Sequence, residues 1–529
     1  MAGPLALLLL LLLALVGAGL LLRLLNPLPA LEPRPLSSAR RPDGSARLDQ
    51  LFDPLEAANP DLDGVAPLAD PLEAFAARCA LIRLADRSLD LQYYIWEDDV
   101  AGRLLLRELM AAADRGVRVR LLLDDNGTTG LDPVLAALET HPRVEVRLFN
   151  PFTLRRPKLL GYLIHPVRLN RRMHNKALIA DSRALIAGGR NIGDVYFGAG
   201  EEGLFVDLDV LAAGPAARAL AADFDRYWQA PTSYTLDRLL PPAPPDALDW
   251  LRARCAAEAE GDFARATQAI VEAGGLANDL GELALSLEWT RARLVSDEPV
   301  KALGRGESRR LVGARLAELI GRPARSFTLV SPYFVPTDSG RARLVEMATG
   351  GVEVSILTNA LEATDVPVVH AGYSRHRRAL VRAGVGLWEL KRRADTPLRL
   401  GLGLRLGSGR SRRPALASSA TSLHAKTFEV DGQRLFVGSF NFDPRSFRLN
   451  TELGLLIDSP RMAAELHALV ASGFAQQAYR LALAPDGRRL HWLETSETGE
   501  TVHVTEPGTR PHQRAAMTVL SWLPIDWLL

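Results

Sequence analysis

Two stretches of this chain carry the same reactive side chains at the same spacing. Residues 174–181 read HNKALIAD and residues 424–431 read HAKTFEVD; both fit HxKxxxxD, and they lie 250 positions apart. On a strand, positions i and i+2 share a face, which sets His174 beside Lys176 and His424 beside Lys426. An imidazole next to an ammonium builds a poor core and a good anion site. The lysine can neutralise phosphate oxygens while the histidine attacks phosphorus or delivers a proton. Each motif runs into a Gly-rich turn, GGRN or GSFN, whose Asn191 or Asn441 can offer amide N–H donors to the same oxygens. Brought together, the two sets make one site with two histidines, one a nucleophile and the other a general acid. By strand parity the motif aspartates, Asp181 and Asp431, fall off that face and read as structural. A lone HxK is a common surface accident, but a second copy in matching context is not.

The elements around the motifs repeat as well. SLDLQYYIW, AGRLLLRELMAAADRG and VRVRLLLDD read as strand, helix and strand, and SFTLVSPYFVP, GRARLVEMATGG and VEVSILTNA repeat that order. Each half continues with a basic irregular stretch, the motif strand, the Gly-rich turn, a further strand and a closing helix. The reading is a duplicated α/β domain, each copy a mostly parallel sheet flanked by helices, the two packed face to face about a pseudo-twofold axis. The expected boundaries are an anchor over 1–25, a tether over 26–64 and a first domain over 65–235. A helical insert over 236–300, a second domain over 301–480 and a C-terminal segment over 481–529 complete the set.

At 529 residues the chain exceeds one small core, and 47% hydrophobic with 24% charged residues is a globular composition. The net charge of +1 singles out no partner class. Only Cys79 and Cys255 are present, without metal-ligand spacing, which argues against a disulfide framework and a structural zinc site. Met1 to Leu22 contains no charged side chain and is long enough to cross a bilayer as a helix. A cleaved signal peptide is the competing reading; it lacks a basic n-region, and the apolar run is too long for it. Arg23, Arg34, Arg40, Arg41 and Arg47 follow the span, so the positive-inside tendency places the body in the cytoplasm. Residues 155–172 carry Arg155, Arg156, Lys158, Arg168, Arg171 and Arg172 without an acid, and residues 391–413 carry Lys391 and seven arginines against Asp395. Both stretches are expected to form a collar for anionic head groups. Trp522 and Trp527 are of the type that sits at a membrane interface.

The doubled HxKxxxxD motif with its GGRN and GSFN turns resembles the phospholipase D superfamily. RLNRRMHNK, GGRNIGDVYFGAGEE, GYSRHRRALVRAGV and VGSFNFDPRS extend the likeness to the bacterial cardiolipin synthases, nearest the subgroup typified by cardiolipin synthase C, from about residue 70 onward. The resemblance implies two phospholipase D-like domains and a metal-free ping-pong phosphatidyl transfer without cofactor. It implies a phosphohistidine on His174, His424 as acid and then base, and one carboxylate orienting each histidine. Aligning VDLDVLAAGP with NTELGLLIDSP assigns those carboxylates to Asp209 and Glu452, with Asp207 and Glu202 as the alternatives. The implied partners are phospholipids, phosphatidylglycerol as acceptor with phosphatidylglycerol or phosphatidylethanolamine as donor, at a bacterial inner membrane. Two rival activities share the superfamily: a hydrolytic phospholipase D, and a phosphodiesterase or nuclease. The apolar leader and the lack of aromatics among the basic residues argue against a nucleic-acid partner.

Overall fold

The computed structural model describes residues 2–200, 203–273, 287–392, 421–470, 477–496 and 499–522. Each half is built on one large sheet. In the first, strands Ser88–Ile95, Arg118–Gly127 and Val144–Phe149 run parallel, joined by helices Val100–Asp114 and Asp132–Glu139. In the second, Ser326–Val330, Glu353–Asn359 and Gly386–Leu390 repeat the arrangement.

The sheets are mixed, which corrects the expectation of mostly parallel ones. Among the described residues only two of the eight pairings in the first sheet, and two of the nine in the second, are parallel. Part of the cause is the motif itself. Ala177–Ala180 turns back through Asp181 and Ser182 into Ala184–Gly188, and Thr427–Val430 turns back through Asp431 and Gly432 into Arg434–Gly438. A link that short permits only an antiparallel hairpin. Asp181 and Asp431 take φ of 52° and 58°, the left-handed region that Asp tolerates better than most side chains. The Asp181 carboxylate accepts the backbone N–H groups of Asp86, Arg87 and Ser88 at 2.8–2.9 Å. Asp431 accepts those of Ala324, Arg325 and Ser326 at 2.7–3.2 Å. Both aspartates therefore stitch the hairpin to the start of the neighbouring strand, roughly 20 Å of extended chain from the histidines.

One joint core lies between the halves. Ala177, Ile179 and Leu185 meet Leu435, Val437 and Leu455 there, with the helices Pro215–Trp228 and Pro460–Ala468 packed alongside. Leu178 and Phe428, the alternate residues of the motif strands, point instead into each half's own outer core.

Residues 26–64 are packed against the first half, and their last two open strand Asp63–Leu68 of its sheet. They contain helix Arg47–Ala58, Arg34 donates to the carbonyls of Ala230 and Ser233, and Arg120 and Arg147 donate to those of Ser37 and Pro35. Residues 236–300 hold the expected helices, Ala247–Ala256 and Asp262–Ala273, and two strands as well: Glu288–Thr290 joins the first sheet and Ala292–Ser296 the second. Ala2–Leu25 forms a helix with exposed leucines. Among the described residues no helix is long and apolar enough to cross a membrane.

Candidate active site

The two motifs meet through reciprocal pairing between the halves. Met173 bridges Thr451, and the His174 N–H donates to the Thr451 carbonyl at 2.9 Å. In mirror fashion Thr421–Leu423 pairs in parallel with Leu204–Val206, and the His424 N–H donates to the Val206 carbonyl at 2.8 Å. The regular motif strands begin only after the lysines, at Ala177 and Thr427, so each His-x-Lys sits in the extended approach to its strand.

This exchange decides which acid serves which histidine. The residue after Thr451 is Glu452, whose Oε2 lies 2.9 Å from His174 Nδ1. The residue after Val206 is Asp207, whose Oδ2 lies 2.5 Å from His424 Nδ1. Each histidine is therefore held by the carboxylate of the opposite half. A carboxylate on Nδ1 fixes the proton there and leaves Nε2 free to attack or exchange a proton. His174 Nδ1 also approaches the Ser439 carbonyl at 3.1 Å, a second acceptor that favours the same tautomer.

Asp209 does not reach a histidine, and the alignment that paired it with Glu452 was two residues out of register. Gly188 faces Asp209 across the sheet as Gly438 faces Gly454, which makes Gly454 the counterpart of Asp209. Asp209 is buried against Arg78 at 2.8 Å and Arg190 at 3.2 Å. Arg190 further donates to the carbonyls of Leu68, Ala69 and Asp207. In the second half Phe440 replaces Arg190, packing edge-on against Phe447 at 4.9 Å. A buried ion network in one half thus answers to an apolar contact in the other. Glu202, the other alternative, lies outside the described residues.

The acids have different surroundings. Glu452 accepts from the Ser439 hydroxyl at 2.5 Å and the Ser446 hydroxyl at 2.7 Å. Burial nevertheless pushes its carboxyl up to about 7, with Lys176 and the two hydroxyls opposing. Burial would raise Asp207 as well, but His424, Lys426 and Arg190 hold it down to about 2. A Cβ on Gly189 would stand 2.0 Å from Asp207 Oδ1, so only glycine leaves room for this carboxylate.

Both imidazoles are buried, which disfavours their protonated forms. Burial, then Lys176 and Lys426, drive His174 well below its usual value; burial and Lys426 bring His424 down to about 4 against the pull of Asp207. Lys176 donates to the His174 carbonyl at 2.6 Å, and Lys426 donates to that of His424. Desolvation lowers Lys176 well below its usual range and Lys426 to about 8, outweighing the nearby carboxylates of Glu452 and Asp207, which pull both upward. Aromatic rings brace the histidines: Tyr94 edge-on to His174 at 5.1 Å, Tyr196 edge-on to His424 at 5.2 Å and Phe205 stacked on His424 at 5.0 Å.

The asparagines differ. Asn191 accepts from the Ile95 N–H and donates to the Tyr196 hydroxyl, so its amide is engaged within the loop. Asn441 Oδ1 is buried without a partner among the described residues. The basic stretch before His174 is less free than its sequence suggests. Arg172 binds Asp124, while Arg155 and Lys158 bind Asp125, acids delivered by strand Arg118–Gly127. Of the second stretch, residues 393–413 lie outside the described residues, and Lys391 pairs with Glu494 at 2.7 Å. Trp522 is exposed at the end of helix Pro511–Trp522; Trp527 lies outside the described residues.

Known proteins resemble this chain. The family model "Cardiolipin synthase, PLD-like domain" matches residues 79–228 and 316–472, one span for each half. Cardiolipin synthase C of Escherichia coli (strain K12) is 44% identical over 483 residues, covering 91% of this chain and 100% of that protein. This chain belongs to the phospholipase D-like cardiolipin synthases. A more distant relative, cardiolipin synthase A of Pseudomonas entomophila (strain L48), is 27% identical over 429 residues, with 81% of this chain and 71% of that one covered. The crystal structure of phosphatidylserine synthase from Haemophilus influenzae Rd KW20 superposes with a TM-score of 0.54 at 14% identity, covering 90% of this chain and 99% of that one, a likeness of fold. Within this cardiolipin synthase-family chain both matched spans contain a histidine, its lysine and the acid used by the other half.

Sequence reasoning holds Asp207 only as an alternative to Asp209, and it missed the serines 439 and 446 and the bracing rings of Tyr94, Tyr196 and Phe205. A signal for Asp207 existed. Counted back from the closing-helix prolines, Pro215 and Pro460, Glu452 falls on Asp207. The rings carried none, since Tyr and Phe on a strand end read equally well as core.

Proposed function

We propose that this chain is a phosphatidyltransferase that makes cardiolipin through a phosphatidyl-histidine intermediate. The observation that carries the reading is the pair of crossed dyads, His174–Glu452 and His424–Asp207, each assembled from both halves. Nε2 of His174 attacks the donor phosphorus, and the bond to the head-group oxygen breaks as that oxygen takes a proton from His424. The head-group alcohol leaves. Neutral His424 then removes a proton from a glycerol hydroxyl of phosphatidylglycerol, whose oxygen attacks phosphorus and releases His174. Lys176 and Lys426 balance the phosphate charge, the task that divalent ions perform in metal-dependent phosphodiesterases. An entering phosphate anion also raises the histidines from their depressed state, so substrate itself favours the protonated His424.

The assignment of roles follows the acids. Asp207 stays ionised and sits 2.5 Å from His424, the better support for an imidazolium. Glu452, poised near neutrality, suits an imidazole that must remain neutral until it attacks. Helix Ala2–Leu25, about 36 Å long at 1.5 Å per residue, is the proposed membrane anchor, and the arginines after it support a cytoplasmic body. Full-length protein in vesicles of phosphatidylglycerol and phosphatidylethanolamine, with excess EDTA, is expected to form cardiolipin and free head-group alcohol. Phosphatidic acid as the main product would make the chain a hydrolase, and loss of turnover restored by magnesium would refute the metal-free step.

A further inference from the structure

The segment between strand Val144–Phe149 and His174 exposes apolar side chains that the catalytic reading does not use. Leu159 is 76% exposed, Val167 68% and Leu163 48%, in three short helical turns spanning Lys158–Leu169. Exposed leucines this close together on a domain surface need a cover. The N-terminal helix indicates what that cover is. It packs on this same segment, so closely that a Cβ on Gly19 would stand 3.0 Å from the Leu163 carbonyl oxygen. Wherever the apolar helix enters lipid, these side chains meet the boundary beside it. Their rim is cationic: Arg156 is exposed, Arg171 is half-buried, and Arg23, at the end of the N-terminal helix, lies near enough to act on His165.

The segment also leads to the chemistry. A cavity of about 540 Å³, lined in part by Phe152, Arg155, Arg156, Lys158 and Tyr162, opens beside Leu159. Tyr162 donates its hydroxyl to Asn126 Oδ1 at 2.9 Å, Asn126 Nδ2 donates to the Tyr94 hydroxyl at 3.1 Å, and Tyr94 packs against His174.

We propose that residues 158–168 form a second membrane contact, with Leu159, Leu163 and Val167 entering the acyl boundary of an anionic bilayer and the adjoining cavity receiving lipid head groups on the way to His174. This rests on the transferase reading only for the last step; the membrane contact stands by itself. Cys79 and Cys255 are buried, so Leu159→Cys in the full chain offers one accessible thiol for a nitrobenzoxadiazole dye. On vesicles of phosphatidylglycerol and phosphatidylethanolamine the dye is expected to shift to the blue and become about fivefold less quenchable by aqueous iodide. A dye at 159 that stays fully quenchable, while one on Leu13→Cys is protected, overturns the contact. In a second arm, Leu159→Glu with Leu163→Glu is expected to lower the ratio of turnover on vesicles to turnover on detergent-dispersed lipid about tenfold; an unchanged ratio also overturns it. No cardiolipin from the unaltered chain in either lipid format would strike the transferase reading instead, while the dye result still decides the contact.

Discussion

The halves of the site share a plan and differ in how they treat charge. Around His424 the first half supplies a short, firmly ionised aspartate, backed by Arg190 and given room by Gly189. Around His174 the second half supplies a longer glutamate, cushioned by two serine hydroxyls and raised toward neutrality. Gly189 and Ser439 occupy the same place in the two turns, as do Arg190 and Phe440. Duplication delivered two equal sets of catalytic groups, and the residues behind them have diverged. In the proposed mechanism each histidine takes its role from the acid of the opposite half.

The largest effect tests whether the halves act as one unit. His174→Asn and His424→Asn are each expected to lower kcat about a thousand-fold or more, and the double variant little further, because members of one machinery are not additive. Steady-state cardiolipin formation checks this; near-normal turnover in either single variant breaks the comparison.

Next come the acids. Asp207→Asn is expected to cost about a hundred-fold or more in kcat with little change in melting temperature, since an amide holds the imidazole in the wrong tautomer. Asp209→Asn should do the reverse. Leaving Arg78 and Arg190 buried against a neutral partner costs roughly 3 kcal/mol or more, read as a lowered melting temperature. Equal loss of turnover in both variants would show that the crossed pairing is misassigned. Gly189→Ala should resemble Asp207→Asn, because its Cβ would displace the carboxylate, whereas Ser439→Ala removes one hydroxyl from Glu452 and is expected to cost about tenfold or less.

The smallest effect is in pH. Glu452 must be ionised to accept the Nδ1 proton of His174, and its carboxyl lies at about 7. The kcat/KM profile should therefore rise with pH through about 7, as the acid loses its proton. Asp207, at about 2, adds no limb in that range. Glu452→Gln should remove the limb along with most of the rate; a limb that persists belongs to another group.

Much of this was legible in the sequence because duplication makes it self-checking. Two HxKxxxxD copies with matching turns located both histidines, both lysines and the α/β halves around them. Strand parity alone set Asp181 and Asp431 apart as structural, and their three backbone donors each explain why an acid is needed there. Asp207 was harder to read because the first half has a longer loop between the Gly-rich turn and the acid: Gly188 to Asp207 against Gly438 to Glu452. Aligning on local likeness slid Asp209 into the place of Glu452. The mixed sheets were hidden for a different reason. Strand–helix–strand patterns announce parallel neighbours, while the antiparallel hairpin in each sheet lies inside the motif and was read for its chemistry.

If the acids divide the labour, His174 is the nucleophile and His424 the proton carrier. Labelled donor lipid, mixed with the full chain, quenched rapidly at alkaline pH and digested, allows the modified peptide to be sequenced by mass spectrometry. Phosphatidyl on His174 alone is the expected result in the native chain. Label on His424, in the native chain or in His174→Asn, would contradict it.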